Sequence, residues 1–153
     1  INMSFIGDIF GGYAAKKVAE NNQRLFNEQA KLQVQNAELK KQTFLTVDKP
    51  RIVNQHYRDQ SNMLVSFIKS GVDVSRIGDS PFLVMLDQTA EQAFDLEIAE
   101  FNSTVEYQNQ VNNASLLRAK GEGEAFKGEL AFRTGVLKAA GKVGTQYGGS
   151  LLT

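Results

Sequence analysis

The sequence predicts an all-α protein: long helices in an antiparallel helical hairpin, assembling as an oligomeric ring or bundle. Three observations carry that prediction. Apolar residues recur at three- and four-residue steps over long stretches, and no strand-like alternation occurs. The turn-rich run Gly71 to Ser80 separates two helical halves and supplies the fold-back point. The apolar stripes are too narrow to close a thick monomeric core, so neighbouring copies are expected to cover them.

Composition narrows the function classes. The 153 residues hold 17 Lys+Arg against 17 Asp+Glu, one His and no Cys or Trp. Disulfides, Cys-based zinc and thiol catalysis are excluded, and one imidazole cannot supply a poly-His metal site. Asn and Gln number 11 and 12, which leaves a thin apolar ration. The longest purely apolar run, Phe82 to Leu86, falls far short of the ~18 residues a spanning helix needs, so a single-helix membrane anchor is not expected.

The elements follow in order. Residues 1–12 read as an apolar leader, with Gly11 and Gly12 separating it from a single helical domain over 13–153. Phe5, Ile6, Ile9 and Phe10 share one face of a short helix and form a membrane or partner anchor, either a plug into a neighbouring subunit or an insertion into a lipid interface. A helix over 13–45 carries Val18, Leu25, Leu32 and Leu39 at seven-residue intervals. The positions three and four further on are polar, which predicts an exposed helix with one narrow contact seam. Asp48, Lys49 and Pro50 are expected to interrupt it, because a residue before proline avoids the α region.

The next helix, 50–70, spaces Val53, Tyr57, Leu64, Phe67 and Ile68 helically. In the connector 71–80, Gly71 is placed for a left-handed C-cap, Gly78 for a turn, and Ser80-Pro81 for the N-cap and first residue of the following helix. That helix, 81–119, has the best-defined stripe: Leu83, Leu86, Ala90, Phe94, Ile98, Phe101 and Val105. Past Val105 it fades into Gln108, Asn109, Gln110, Asn112 and Asn113, whose amides should face water or a polar neighbour.

A Gly/Ala-rich helix and tail, 120–153, closes the chain, and Gly144 to Thr153 is expected to be loose. Gly121, Gly128 and Gly135 stand seven apart in phase with Ala114, with Ala125 and Ala139 near the same side. Each glycine costs ~1 kcal/mol in a helix relative to alanine, so the line predicts a close helix-helix contact at Ala114, Gly121, Ala125, Gly128 and Gly135.

Charge is balanced overall and uneven locally: residues 1–76 carry 11 basic and 7 acidic groups, 77–117 carry 0 and 7, and 118–153 carry 6 and 3. The acidic block includes Asp87, Glu91, Asp95, Glu100 and Glu106, candidates for a solvated or lumen-facing acidic surface. A metal or acid/base role would want a partnering His, and the Glu-x-x-His signature is absent. His56 lies on a helix with no nucleophile in a motif context, and Gly121-Glu122-Gly123-Glu124 lacks the strand and Gly-Lys-Ser/Thr ending of a phosphate loop. Lys16, Lys17, Arg24, Lys31, Lys40 and Lys41 are interleaved with acids and read as a solvated face. A non-enzyme without cofactor or metal is expected.

Ser70 to Ser75 (SGVDVS), then Gly78 to Leu86 (GDSPFLVML), the acidic stripe, and a Gly/Ala helix with Gly135-Val136-Leu137 and Ala139-Ala140-Gly141 form a recognisable order. It resembles the small internal virion proteins of short-tailed bacteriophages, the ejection proteins stored in the capsid core. The resemblance covers nearly the whole chain on structural rather than catalytic motifs, and Asp79 stands where the usual pattern runs Gly-Ser-Pro. It implies a homo-oligomer in the virion interior, in contact with other core proteins and the portal or tail. At infection such a protein is expelled into the host outer membrane as part of a channel, which DNA passes without sequence-specific binding. A static virion core or head-tail connector protein, and a DNA-binding packaging factor, are the rival readings.

Overall fold

A computed structural model describes residues 3–73 and 80–148, with side chains over 6–73 and 80–142. Helix α1 spans Met3–Thr43, a π-helical turn spans Phe44–Asp48, α2 spans Lys49–Lys69 and α3 spans Ser80–Gly148. The chain divides into two compact units, one of residues 1–34 with 111–153 and one of residues 35–110. Both divisions fall inside helices.

Each unit is an antiparallel helix pair. In the first, Gly12 abuts Phe132, Ala19 abuts Gly128 and Phe26 abuts Gly121, so numbers fall on α3 as they rise on α1. In the second, Lys40 pairs with Glu106, Lys49 with Glu100, and Gln60 with Gln92. The class is all-α, and long helices pack against each other in both units.

Several expected boundaries move. Gly11 and Gly12 do not separate a leader, because α1 runs through them from Met3. Helices 81–119 and 120–153 are one helix, in which Gly121, Gly123, Gly128 and Gly135 are all helical. Gly144 to Gly148 belongs to α3 rather than to a loose tail, while residues 149–153, and Gly78 within 74–79, lie outside the described residues. Glycine weakens a helix by only ~1 kcal/mol, and packing along the seam offsets that.

Pro50 does not interrupt the helical path either. Asp48 and Lys49 keep right-handed helical angles, φ −72° and ψ −47° then φ −59° and ψ −50°. The chain instead widens into the π turn, where the Lys49 N–H donates to the Phe44 carbonyl, five residues back. A wider turn moves carbonyls away from the proline ring, which clashes with the i−4 carbonyl of a regular α-helix.

The fold-back begins where the sequence places it. Gly71 has φ +74°, its N–H donates to the Ile68 carbonyl at 3.1 Å, and the Val72 N–H donates to that of Phe67 at 3.0 Å. This is a Schellman ending, in which left-handed glycine satisfies the last carbonyls of α2. Ser80 and Pro81 open α3.

Among the described residues the buried hydrophobic side chains are all alanines: Ala19, Ala30, Ala37, Ala114 and Ala139. No large side chain is fully buried among the described residues. The fold therefore rests on a narrow seam of close helix contact rather than on a thick core.

Candidate functional site

The seam of the first unit is built from small residues. A Cβ placed on Gly128 would lie 2.3 Å from the Ala19 Cβ, and one on Gly135 would lie 2.8 Å from the Asp8 carbonyl oxygen. On Gly121 it would meet the Phe26 Cβ at 3.2 Å, and on Gly12 the Phe132 Cα at 3.2 Å. At these four positions the helices approach so closely that hydrogen is the largest side chain that fits without displacement. Carbonyl oxygens of Asp8, Gln23 and Ala131 face the glycines, an arrangement suited to weak Cα–H···O contacts. Of the other two predicted contact residues, Ala114 is buried and Ala125 half-buried. Gly12, expected as a boundary, belongs to the same set, and its spacing of seven from Ala19 on α1 is the sequence signal that marks it.

Charged residues border this seam. The Lys16 ammonium lies 3.0 Å from Glu129 and 5.3 Å from the centre of the Phe132 ring, and Lys142 pairs with Asp8. Hydrogen bonds from Lys16 and Arg133 hold the Glu129 carboxyl below its usual range.

In the second unit the seam is polar as well as apolar. The Gln60 amide donates to Gln92 at 2.8 Å and to the Thr89 hydroxyl at 3.3 Å, and Gln92 is buried. Leu64 and Phe67 are half-buried here together with Met63, Met85 and Leu96, and so is His56. Gln88 here, and Gln33 in the first unit, each bury a side-chain oxygen without a hydrogen-bond partner. Lys41 sits 4.7 Å from the centre of the Tyr107 ring.

The conspicuous apolar stripes face the other way. Leu83, Leu86, Phe94, Ile98, Phe101 and Val105 are 40–67% exposed, and Ala90 is exposed with them. Met85, Gln88, Gln92, Leu96, Ala99 and Ser103, half a helical turn away, form the packed side. The seven-residue set Val18, Leu25, Leu32 and Leu39 is 54–60% exposed, because Gly12, Ala19, Ala30 and Ala37 face inward instead. The contact seam expected at Val18, Leu25, Leu32 and Leu39 is thus not the one within the chain. Leu116, Leu130 and Leu137 are likewise exposed on α3, with Gly123 between them open to space.

The acidic candidates divide. Glu100 pairs with Lys49, and Glu106 accepts hydrogen bonds from Lys40 at 2.6 Å and Gln110 at 3.2 Å, with Lys40 holding its carboxyl below the usual range. Asp87, Glu91 and Asp95 are exposed and make no ion pair among the described residues. Of the anchor residues, Ile6 and Phe10 are exposed, Ile9 is half-buried, and the Phe5 side chain lies outside the described side chains. Among the described residues no group of acids and His is arranged to hold a metal ion, and no helix is long and apolar enough to cross a membrane.

Compared with protein-family models, curated proteins and solved structures, the chain finds no match. Among the described residues the geometry offers two helix pairs, with a tight small-residue seam in the first and apolar faces turned outward in both.

Proposed function

We propose that the chain is a helical-hairpin subunit of a homo-oligomer, and that it acts as a phage internal virion protein, stored in the capsid core and expelled to form part of a channel for viral DNA across the outer membrane. One observation carries the oligomeric part: α3 turns its best apolar stripe, Leu83 to Val105, away from its own partner helix. A contiguous exposed apolar strip marks an interaction surface. The step to a phage ejection protein is supported by the ordered sequence features around Gly71, Ser80 and Pro81. A chain whose described helices are not apolar enough to span a bilayer would have to line such a channel together with other copies. Ile6 and Phe10 supply an outward apolar pair for a lipid interface or a core-protein partner.

Vesicle flotation and sedimentation test this reading. The wild-type chain should associate with concentration and float with outer-membrane-like vesicles, and Ile6→Ser with Phe10→Ser should abolish flotation while keeping helix content. Removing residues 1–12 is the poorer test, because it also deletes Gly12 and Asp8 from the seam. A concentration-independent monomer would refute the oligomer. An oligomer that never binds vesicles favours the static core protein.

A further inference from the structure

The second unit leaves two helix faces unpartnered on opposite sides of its seam, and their charges differ in sign. Along α3 the exposed Phe94, Ile98 and Phe101 run beside Asp87, Glu91 and Asp95, and residues 80–110 contain no Lys or Arg. Along α2 the exposed Tyr57, Val65 and Ile68 run beside Arg51, Arg58 and Lys69. None of these six charges has an ion-pair partner among the described residues, whereas Lys40, Lys49, Glu100 and Glu106 are matched within the chain.

Two copies of either face would meet with like charges opposed, which is costly once water is excluded, whereas the two faces suit each other. We infer that the outward face of α2 in one copy docks on the outward face of α3 in the next. The contact is heterologous, so it repeats around a ring when the rotation closes. The inference rests on the homo-oligomeric reading and specifies its interface.

The register of the pair agrees with such a ring. Within the chain Lys49 meets Glu100 and Gln60 meets Gln92, so Arg58 stands level with the turn that carries Glu91 and Asp95. A neighbour related by rotation without axial shift presents Arg58 between those two carboxylates and Arg51 at the level of Glu97. Apolar contact supplies the attraction, and the charges select which face meets which. This use of Asp87, Glu91 and Asp95 differs from a lumen wall in requiring the α2 cations.

Sedimentation velocity across a concentration series tests the pairing, with circular dichroism as the folding control. Arg51→Glu with Arg58→Glu should weaken association on the order of a hundredfold at low salt, and Glu91→Arg with Asp95→Arg should do the same. Mixing the two variants, or combining all four changes in one chain, should restore assembly. Two reversed variants that associate like wild type would overturn this interface while leaving the oligomer standing, and a wild type monomeric at every concentration would remove both. Normal assembly of the Arg51→Glu, Arg58→Glu variant with loss of vesicle or duplex-DNA binding would assign the α2 face to lipid or DNA instead, and failed rescue in the chain that combines all four changes would overturn the charge pairing.

Discussion

Gly128 and Ala19 meet so closely that a single added carbon on Gly128 would come within 2.3 Å of the Ala19 Cβ. That separation is shorter than any real carbon contact, and both groups sit on helix backbone that cannot swing aside. The pair therefore sets the distance between α1 and α3 in the first unit.

Gly128→Ala should destabilise the hairpin by about 1–3 kcal/mol despite its higher helix propensity, and Gly128→Leu by more. Gly123, on the same helix, has nothing within 4 Å of its would-be Cβ, so Gly123→Ala should stabilise by up to ~1 kcal/mol. Thermal melts of the two alanine variants check the contrast, and equal effects at both sites would sink the close-packing account.

Gly71→Ala should cost about 1–2 kcal/mol, because φ +74° places an L side chain against the following carbonyl. Gly71→Asn should cost less, since asparagine tolerates the left-handed region. Urea titration of both variants distinguishes this from a general loss of flexibility, which would rank them alike.

Phe94→Ser and Phe101→Ser should leave the stability of the unassociated chain within about 0.5 kcal/mol, because both rings already face water. Leu96→Ala, on the packed side, should cost about 1–2 kcal/mol, below the 2–5 kcal/mol of a fully buried leucine. Self-association should show the reverse order, weakened by the Phe substitutions and little changed by Leu96→Ala. Dilution series measured alongside melts report both quantities.

Acid should loosen both units. The Glu129 and Glu106 carboxyls are held below their usual 4.5, chiefly by hydrogen bonds from Lys16 and Lys40 respectively. A depressed carboxylate contributes stability that is fully present above its unfolded value and is lost as pH falls through the folded one. The melting temperature should therefore fall below about pH 4.5, and Lys16→Gln with Lys40→Gln should flatten part of that dependence. An unchanged pH profile in the double variant would remove these two pairs as a cause.

Much of the helical class was legible because it is a local property. Three- and four-residue apolar spacing, a glycine at the end of α2 and Ser80-Pro81 at the head of α3 bias short stretches of chain whatever they later touch. The line Gly121, Gly128, Gly135 was legible too, since three glycines at one helical phase have an intrinsic cost that calls for a compensating contact. The helical path through Pro50 was not legible: local sterics favour a break there, and a single π turn removes the clash.

What the sequence determined by itself was that the chain is helical, where it turns back and which glycines stand in phase. Tertiary structure decided which stripe faces inward. Periodicity marks Val18, Leu25, Leu32 and Leu39, and Leu83 through Val105, as contact surfaces without saying what they contact. In a two-helix seam small residues permit the closest backbone approach, so Gly12, Ala19, Gly128 and Gly135 take the inside. The larger apolar side chains of those two stripes, Val18 to Leu39 and Leu83 to Val105, are left on the outer faces.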